Sequence, residues 1–225
     1  MIEEVLRIFT NYGSELLSAL ILTLEVTFIS FAIGLGGGAL IAILRASSPK
    51  PIKALIMLLV ELVRGTPMVV QLFFIYYALP QIGVKLDPFS ASVVAMGLNS
   101  AIYQSEYWRT AISSIPRTQW EAAYSLGLNT LGVLANVVMP QALRIAMPLL
   151  SNELIYLLKF SSIAYFVALP ELVYTGKWIA SKTFAYIEIY TIIAIFYIVI
   201  TLFLSEILNR IEKKLYIPGL AIKRI

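Results

Sequence analysis

The sequence predicts an all-α membrane protein that crosses the bilayer five times. Of its 225 residues, 60% are hydrophobic and 13% are charged, and the mean hydropathy is +0.85. Soluble domains have about a quarter of their residues charged. Long apolar runs recur along the chain, and each crossing needs roughly 20 apolar residues. We therefore expect a single transmembrane domain over residues 1–225, with no separate soluble domain.

Five apolar runs are long enough to cross a membrane. They cover about residues 14–44, 52–79, 89–112, 142–169 and 187–208. In the first run, small and polar residues recur at helical spacing on one face: Thr23, Thr27, Ser30, Gly34 and Gly38. Glycines four residues apart let another helix approach closely. This face is therefore expected to pack inside the protein.

The second run is interrupted in its middle by Arg64, Gly65, Thr66 and Pro67. A proline inside a helix lacks the backbone N–H and clashes with the preceding turn. A broken helix at membrane depth is tolerated where it lines a cavity or is buried in protein. We therefore expect a structural helix break at these four residues, with Glu61 and Arg64 on one face and close enough to pair.

The basic residues predict the orientation. If the N-terminus is outside, eleven Lys and Arg fall in the inner segments and four in the outer segments, and the inner set includes Lys223 and Arg224. Cytoplasmic loops carry this excess of positive charge. The predicted topology has the N-terminus out and the C-terminus in, which places residues 113–140 in the cytoplasm. The net charge of +4 therefore gives no reason to expect a nucleic-acid partner.

The composition also bears on catalysis. The chain has neither cysteine nor histidine, which excludes thiol chemistry and disulfides and removes the commonest metal ligand and general base. We expect no enzymatic activity, no metal site and no cofactor held by this chain. An intramembrane enzyme that uses only carboxylates or hydroxyls is the remaining catalytic alternative.

The segment 113–140 is the one stretch that combines water-facing residues with helical order. Pro116 is placed to start a short helix, Glu121 suits its first turn, and Gly132 and Pro140 mark its end. Small residues give this helix a low-profile side that suits a partner's groove: Ala122, Ala123 and Gly127. A helix that lies on the membrane surface is the alternative interpretation.

The run Glu121-Ala-Ala-Tyr-Ser-Leu-Gly127, followed by Val138-Met-Pro140, resembles the cytoplasmic EAA loop of ABC importer permeases. Arg64-Gly-Thr-Pro67 with Gln71, and Leu169-Pro-Glu171-Leu, are similar to other segments of the polar amino acid permeases, such as those for arginine, histidine and glutamine. The chain departs from the pattern at Arg117-Thr118, where the family often has Lys-Gly, and at Met139, where it has Leu.

The resemblance implies a type I ABC importer permease in the inner or plasma membrane of a prokaryote. Because the chain lacks a phosphate-binding Gly-Lys-Ser/Thr loop, ATP and Mg would be bound by separate ATPase subunits docked on Glu121, Ala122, Ala123 and Gly127. An extracytoplasmic binding protein would deliver an amino acid. A second permease subunit would complete the pathway, and we expect a homodimer because the site and coupling motifs stand in one chain.

Glu153 is the leading candidate for contact with the substrate. It stands about a dozen residues into the fourth run, near the middle of the membrane at 1.5 Å per residue. A carboxylate there is costly and marks function. A basic amino acid such as arginine or lysine is the expected substrate, and a salt bridge to Arg64 is the structural alternative. Other polar residues are expected to line the same cavity: Asn152, Tyr156, Asn99, Ser100, Tyr103 and Gln71.

Other functions are left open at this point. A permease for neutral or acidic polar amino acids, such as glutamine or glutamate, has the same motifs. A secondary transporter or channel that works without ATP is a further alternative, although secondary transporters commonly show an internal repeat and none is evident here. A secondary transporter would also not explain the ordered cytoplasmic helix. A scaffold protein or an intramembrane hydrolase is the last alternative.

Overall fold

Apolar runs separated by short breaks give a chain of helices in the computed structural model, which describes residues 2–215. Lys223 and Arg224, which contribute to the predicted orientation, lie outside the described residues. The helices are α1 (Ile2–Ser47), α2 (Lys50–Arg64), α3 (Met68–Phe73), α4 (Pro88–Ser113), α5 (Arg117–Ser125), α6 (Thr130–Val133), α7 (Met139–Phe160), α8 (Leu172–Thr183) and α9 (Tyr186–Leu215). No strand occurs between residues 2 and 215.

Short segments of other helix types extend three of these elements. Phe74–Ala78 is π-helical and Leu79–Ile82 is a 3-10 helix, so both continue α3. The π-helical segment Leu134–Val138 joins α6 to α7, and the 3-10 segment Ser161–Val167 continues α7. Ala168 ends this last segment in the left-handed conformation, with φ of 59°.

Three helical stretches in the described chain are both long and apolar enough to cross a membrane: Glu3–Ser47, Thr130–Val167 and Tyr186–Leu215. A fourth crossing results if α2 and Met68–Ile82 form one broken span. The break falls at Gly65-Thr66-Pro67, as the position of Pro67 predicts. The predicted number of five spans and the orientation are not confirmed by these helices and stay predictions.

The fifth predicted span is α4, which is long enough but less apolar. Its 26 residues extend about 39 Å at 1.5 Å per residue, more than the roughly 30 Å of a hydrocarbon core. Its hydropathy is lowered by a buried polar stripe: Ser92, Asn99, Ser100, Gln104 and Ser105. Polar residues in a membrane helix belong on the side that faces protein, so the stripe is compatible with a spanning helix.

The first predicted span is longer in the structure than in the sequence pattern. Residues 2–13, which precede the predicted run, form one uninterrupted helix with it. The packing face predicted on α1 is confirmed, because all five residues are buried: Thr23, Thr27, Ser30, Gly34 and Gly38. The hydroxyls of Thr23 and Thr27 donate to the carbonyls one turn back, of Ala19 and Thr23, which satisfies them inside the apolar helix.

The described chain forms two compact units, and α1, α4, α7 and α9 contribute to both. The first unit holds the described part of Met1–Phe31 together with Met68–Met96 and Leu154–Glu206. One of its apolar clusters joins α1, α8 and α9: Ile8, Leu16, Ile179, Ala180, Ile189, Ile192 and Ile193. Each fully buried aliphatic side chain of this kind contributes about 1.5–3 kcal/mol.

The second unit holds Ala32–Pro67, Gly97–Glu153 and the described part of Ile207–Ile225. The buried side of α4 in this unit is apolar at Ala101, Trp108 and Ile112. The short helix α5 packs against α6 and against the π-helical segment that leads into α7. The polar stripe of α4 from Asn99 to Ser105 and the predicted cytoplasmic helix belong to this second unit.

Candidate functional site

Glu153 lies on α7 in the second unit, and only 5% of its surface is exposed. Two hydroxyl groups of α4 bind its carboxylate. Ser100 Oγ donates to Oε1 at 2.8 Å, and Tyr107 OH donates to Oε2 at 3.0 Å. Each carboxylate oxygen thus has one neutral donor, which fixes the orientation of the carboxylate without cancelling its charge.

The hydrogen-bonded chain continues along α4. Gln104 Nε2 donates to Ser100 Oγ at 2.9 Å, and both side chains are fully buried. Gln104 Oε1 makes no hydrogen bond within the described residues. A buried acceptor without a partner is a place where a water or a ligand group binds. Gln104 Oε1 can therefore accept a hydrogen bond from one more donor.

The backbone of α1 covers this network at close range. A Cβ atom built on Gly34 would stand 2.5 Å from both Gln104 Nε2 and Ser100 Oγ. One built on Gly38 would stand 2.7 Å from Gln104 Cβ. Only glycine fits at both positions, and the close helix approach predicted from Gly34 and Gly38 is confirmed.

The predicted cytoplasmic helix is present as α5, of nine residues. Its N-cap is Pro116, and Gly127 follows its C-terminal end with φ of +81°. A residue with a Cβ atom adopts this left-handed conformation at a cost, so glycine suits the turn. Glu121 and Ala122 are exposed, whereas Ala123 is buried. One side of α5 is thus exposed in the part of the chain that the structure describes.

Comparison with known proteins assigns the chain to a family. A model of the family described as binding-protein-dependent transport system inner membrane component matches residues 34–216. The chain belongs to this family. The matched residues include the whole EAA-like segment, the Glu153 network and the break after α2. The prediction of the amino acid ABC permease family, made from these motifs, is confirmed.

Named relatives of this permease include bacterial transport proteins. The L-cystine transport system permease protein TcyB of Bacillus subtilis is 37% identical over 86% of the chain and 83% of its own length. The glutamine transport system permease protein GlnP of Escherichia coli is 36% identical over 87% and 90%. The arginine transport system permease protein ArtQ of Bacillus subtilis is 35% identical over 89% and 92%.

Solved structures agree with the fold of the permease. A crystal structure of an amino acid ABC transporter with histidines matches with a TM-score of 0.83 and 38% identity, over 92% of this chain and 96% of the other. An inward-facing structure of the MetNI methionine ABC transporter matches with a TM-score of 0.71 and 19% identity, over 96% and 100%. At that identity the second match supports the fold alone.

The candidate substrate residues of the permease are only partly brought together. Ser100 and Glu153 are in direct hydrogen-bond contact. Asn99 is buried in the same unit, whereas Asn152 is exposed. Gln71 and Tyr156 belong to the first unit, where Tyr156 stacks on Phe160 with ring centroids 4.2 Å apart. A role for these residues in substrate contact stays a prediction.

The alternative that Glu153 pairs with Arg64 is not what the structure shows. Arg64 Nη1 lies 3.3 Å from Glu61 Oε1, one turn earlier on α2, as their spacing predicts. Its guanidinium carbon is 6.0 Å from the ring centroid of Tyr103, another candidate substrate residue. No lysine or arginine of residues 2–215 forms an ion pair with Glu153, because the described ion pairs involve other acids.

Two residues of the network were not among the predicted site residues. They are Gln104 and Tyr107, which both lie on α4. The signal for them is the spacing of Ser100, Gln104 and Tyr107, which follow one another by four and three residues and so share one helical face. Glu106 belongs to a different contact, in which it binds Arg45 and lies 2.8 Å from Arg109 Nε.

Two expectations about α5 were wrong. Glu121 was expected in the first turn, but α5 begins at Arg117, so Glu121 is its fifth residue. Gly132 was expected to mark the end of the helix, but α5 already ends at Ser125. Gly132 instead lies inside α6, where its N–H donates to the side chain of the N-cap residue Asn129 at 2.8 Å.

Proposed function

We propose that this chain is the permease subunit of an ATP-driven importer for basic amino acids, with arginine and lysine as the expected substrates. The observation that carries the substrate class is the environment of Glu153. Its carboxylate is buried and accepts hydrogen bonds from two neutral hydroxyl groups, and no described lysine or arginine pairs with it. A substrate ammonium or guanidinium group would supply the missing charge.

The energetics favour a cationic ligand at this position. An isolated charge in a low-dielectric interior is strongly unfavourable, and an opposite charge with good hydrogen-bond geometry offsets much of that cost. The hydroxyls of Ser100 and Tyr107 hold the two carboxylate oxygens in place before any ligand arrives. The free acceptor at Gln104 Oε1 offers a second contact to an N–H of the same cation.

The exposed side of α5 is the proposed contact with the ATPase. Glu121, Ala122, Ala123 and Gly127 would seat the helix in a groove of the ATPase subunit, which would bind ATP and Mg. Only Ser114, Ile115 and Pro116 separate α4 from α5. Rigid-body movement of α5 would therefore be passed to α4 and to the hydroxyls that bind Glu153.

The rest of the proposed assembly follows the family. Two copies of this chain would form the pathway, and an extracytoplasmic binding protein would deliver the amino acid. The chain would cross a prokaryotic inner or plasma membrane five times, with α4 as the third crossing and the N-terminus outside. The charge distribution along the sequence supports this orientation.

The decisive experiment is uptake by proteoliposomes that contain the permease, its ATPase and its binding protein. Radiolabelled arginine should be taken up with ATP, and substrate-loaded binding protein should stimulate ATP hydrolysis. In Glu153→Gln, arginine uptake should fall by about tenfold or more, because loss of a buried charge contact costs roughly 1.5–3 kcal/mol. The complex should still assemble, since glutamine has nearly the shape of glutamate and its carbonyl oxygen can accept one of the two hydrogen bonds.

Two control variants separate recognition of charge from disturbance of the fold. Ser100→Ala and Tyr107→Phe each remove one hydrogen bond to Glu153 and leave its carboxylate in place. Both should keep a preference for arginine over glutamine, with a smaller loss of rate. Arginine uptake by Glu153→Gln at the rate of these two controls would contradict the proposed role.

A second candidate function is import of a neutral polar amino acid. The relatives named for cystine and glutamine favour it, and so does Gln104, whose amide already pairs with a neutral hydroxyl. In that case glutamine or cystine, and not arginine, would be taken up, and Glu153→Gln would leave the substrate preference unchanged.

A further inference from the structure

A cavity of about 540 Å³ lies in the first unit between α1 and α8, away from Glu153. Its volume falls in the usual range of about 300–1,000 Å³ for small-molecule sites. Residues of α1, α8 and the loop before α8 line it: Ser14, Glu15, Ser18, Ala19, Leu22, Pro170, Tyr174, Thr175 and Trp178. None of these residues is among the proposed contacts with the substrate or with the ATPase.

The lining changes from polar to apolar along α1. Ser14, Glu15 and Ser18 lie toward the start of the helix, and Ala19 and Leu22 lie one to two turns further into the apolar run. Leu17 and Ile21, which flank this face, are 56% and 50% exposed. The cavity therefore combines a polar end with an apolar floor and borders an exposed apolar surface.

The aromatic residues indicate the depth of the cavity. Tyr174 and Trp178 line it, and such residues gather where lipid headgroups meet the hydrocarbon. Trp178 is held in place, because its ring and the ring of Tyr12 form a T-shaped pair with centroids 6.0 Å apart. With the N-terminus outside, as proposed above, the cavity lies at the headgroup level of the outer leaflet.

Two opposite charges are associated with the cavity, because Glu15 is part of its lining and Lys182 contacts the lining residue Trp178. The Glu15 carboxylate accepts a hydrogen bond from Ser14 Oγ at 2.8 Å. The Lys182 ammonium stands 3.8 Å from the centroid of the Trp178 ring and attracts Glu15 electrostatically. The described ion pairs do not include one between these two residues, so each charge is available to a ligand with both signs.

We infer that this cavity binds the headgroup of a phospholipid that carries a primary amine. The ammonium group would contact Glu15 and the phosphate would contact Lys182, while the start of an acyl chain would lie over Ala19 and Leu22. A free amino acid is also zwitterionic. The lipid is favoured because the floor is apolar and because Leu17 and Ile21, which neighbour the lining residues along α1, are exposed.

The test is native mass spectrometry of the permease, purified with its ATPase, in the presence of dioleoyl lipids. Phosphatidylethanolamine, phosphatidylcholine and phosphatidylglycerol are added separately at equal concentration. The primary amine should bind about fivefold better than the quaternary amine of phosphatidylcholine, since one charge-assisted hydrogen bond at a half-open site has roughly this effect. Phosphatidylglycerol should bind least, because it has no cation for Glu15.

Three variants make the test specific to the site. Glu15→Gln should abolish the preference for the primary amine. Glu188→Gln, which changes a carboxylate in the first turn of α9 outside the lining, should keep it. Ser18→Trp should reduce binding of all three lipids, because Ser18 lines the cavity and is exposed, so a larger side chain there would fill space without disturbing the core.

Several results would overturn the inference. These are equal binding of the three lipids to the unmodified complex, the same preference in Glu15→Gln as in Glu188→Gln, or displacement of the bound lipid by free arginine or glutamine. The readout is binding and not transport. A failure of the lipid site is therefore distinguishable from a failure of the proposed importer function, which uptake measures.

Discussion

Substitution of Gly34 by alanine tests whether the close approach of α1 supports the Glu153 network. The added Cβ would stand 2.5 Å from Ser100 Oγ and Gln104 Nε2, whereas ordinary contacts begin at 3.4 Å. The neighbours must therefore move by about 0.9 Å. If Ser100 moves along its hydrogen bond to Glu153, the distance between Ser100 Oγ and Glu153 Oε1 grows from 2.8 Å to about 3.7 Å, which is beyond hydrogen-bonding distance.

The expected cost follows from these distances. Overpacking costs about 1–3 kcal/mol, and the lost hydrogen bond adds about 1 kcal/mol. A total of about 2–4 kcal/mol lowers the unfolding temperature of a chain of this size by about 4–16 °C. Thermal unfolding of the detergent-purified permease, followed by tryptophan fluorescence, measures this shift.

Gly36→Ala is the matched control on the same helix. A Cβ there would meet nothing within 4 Å, and alanine favours a helix over glycine by up to about 1 kcal/mol. The control should unfold at the temperature of the unmodified permease or above it. Equal unfolding temperatures for Gly34→Ala and Gly36→Ala would refute the packing argument.

Three further predictions concern other parts of the chain. Gly127 has φ of +81° with open space around it. In a pulldown titration, Gly127→Val should weaken ATPase binding about 5–30-fold through about 1–2 kcal/mol of backbone strain. Asparagine tolerates this conformation, so Gly127→Asn should bind the ATPase more tightly than Gly127→Val does. Glu106→Gln should lower the free energy of unfolding by about 1–3 kcal/mol, since only 19% of the Glu106 side chain is exposed. Glu61→Gln should lower it by less than about 1 kcal/mol, because 70% of the Glu61 side chain is exposed. Equal costs for the two variants would contradict this reasoning. Burial raises the pKa of Glu171 from 4.5 to about 7, although the N–H groups of Val173 and Tyr174 donate to its carboxylate and oppose this rise. The stability that the protonated Glu171 contributes is therefore complete below pH 4.5 and is lost as pH rises through 7. Its upper limit is about 3 kcal/mol, at 1.36 kcal/mol per pKa unit. Unfolding midpoints at about pH 5 and pH 8 should therefore differ in the unmodified permease and differ less in Glu171→Gln.

The helix breaks and close contacts were predictable because single residues determine them. Pro67 has no N–H for a helix ladder, and the interruption between α2 and α3 falls where the sequence places it. Gly34 and Gly38 have no side chain to separate two helices, and α4 lies against them. In both cases a local steric property decides the structure, so no knowledge of the rest of the fold is needed.

The limits of α5 were not predictable in the same way. Pro116 has an extended backbone with ψ of 140° and stands just before the helix, whereas the sequence also permits it inside the first turn. Gly127 and Gly132 are alike as residue types, yet only Gly127 has a positive φ. The cap provided by Asn129 starts a new helix before Gly132, and competition between such caps decides which glycine ends α5.

The sequence predicted the central carboxylate of the candidate substrate site, Glu153, but only one member of its hydrogen-bond network, Ser100. α4 has polar residues on two adjoining faces, since successive residues of a helix point about 100° apart. A stripe through Asn99, Tyr103 and Glu106 is therefore as regular as one through Ser100, Gln104 and Tyr107. Only the position of α7 decides between them, because Glu153 meets the second face, and that position is a tertiary property.

The placement of these donors changes which helix would couple ATP hydrolysis to transport. Along the chain, the cytoplasmic helix α5 leads into the fourth predicted span, which carries Glu153. The donors to Glu153 are instead on α4, and Tyr107 stands only about 9 Å from the end of that helix at Ser113, at 1.5 Å per residue. A shift of α4 relative to α7 by about 0.7 Å is enough to stretch the Ser100–Glu153 bond from 2.8 Å to the limit of hydrogen bonding. Small movements of α5 would therefore change how well Glu153 is held, and the double variant Ser100→Ala, Tyr107→Phe should retain basal ATP hydrolysis while losing its stimulation by substrate.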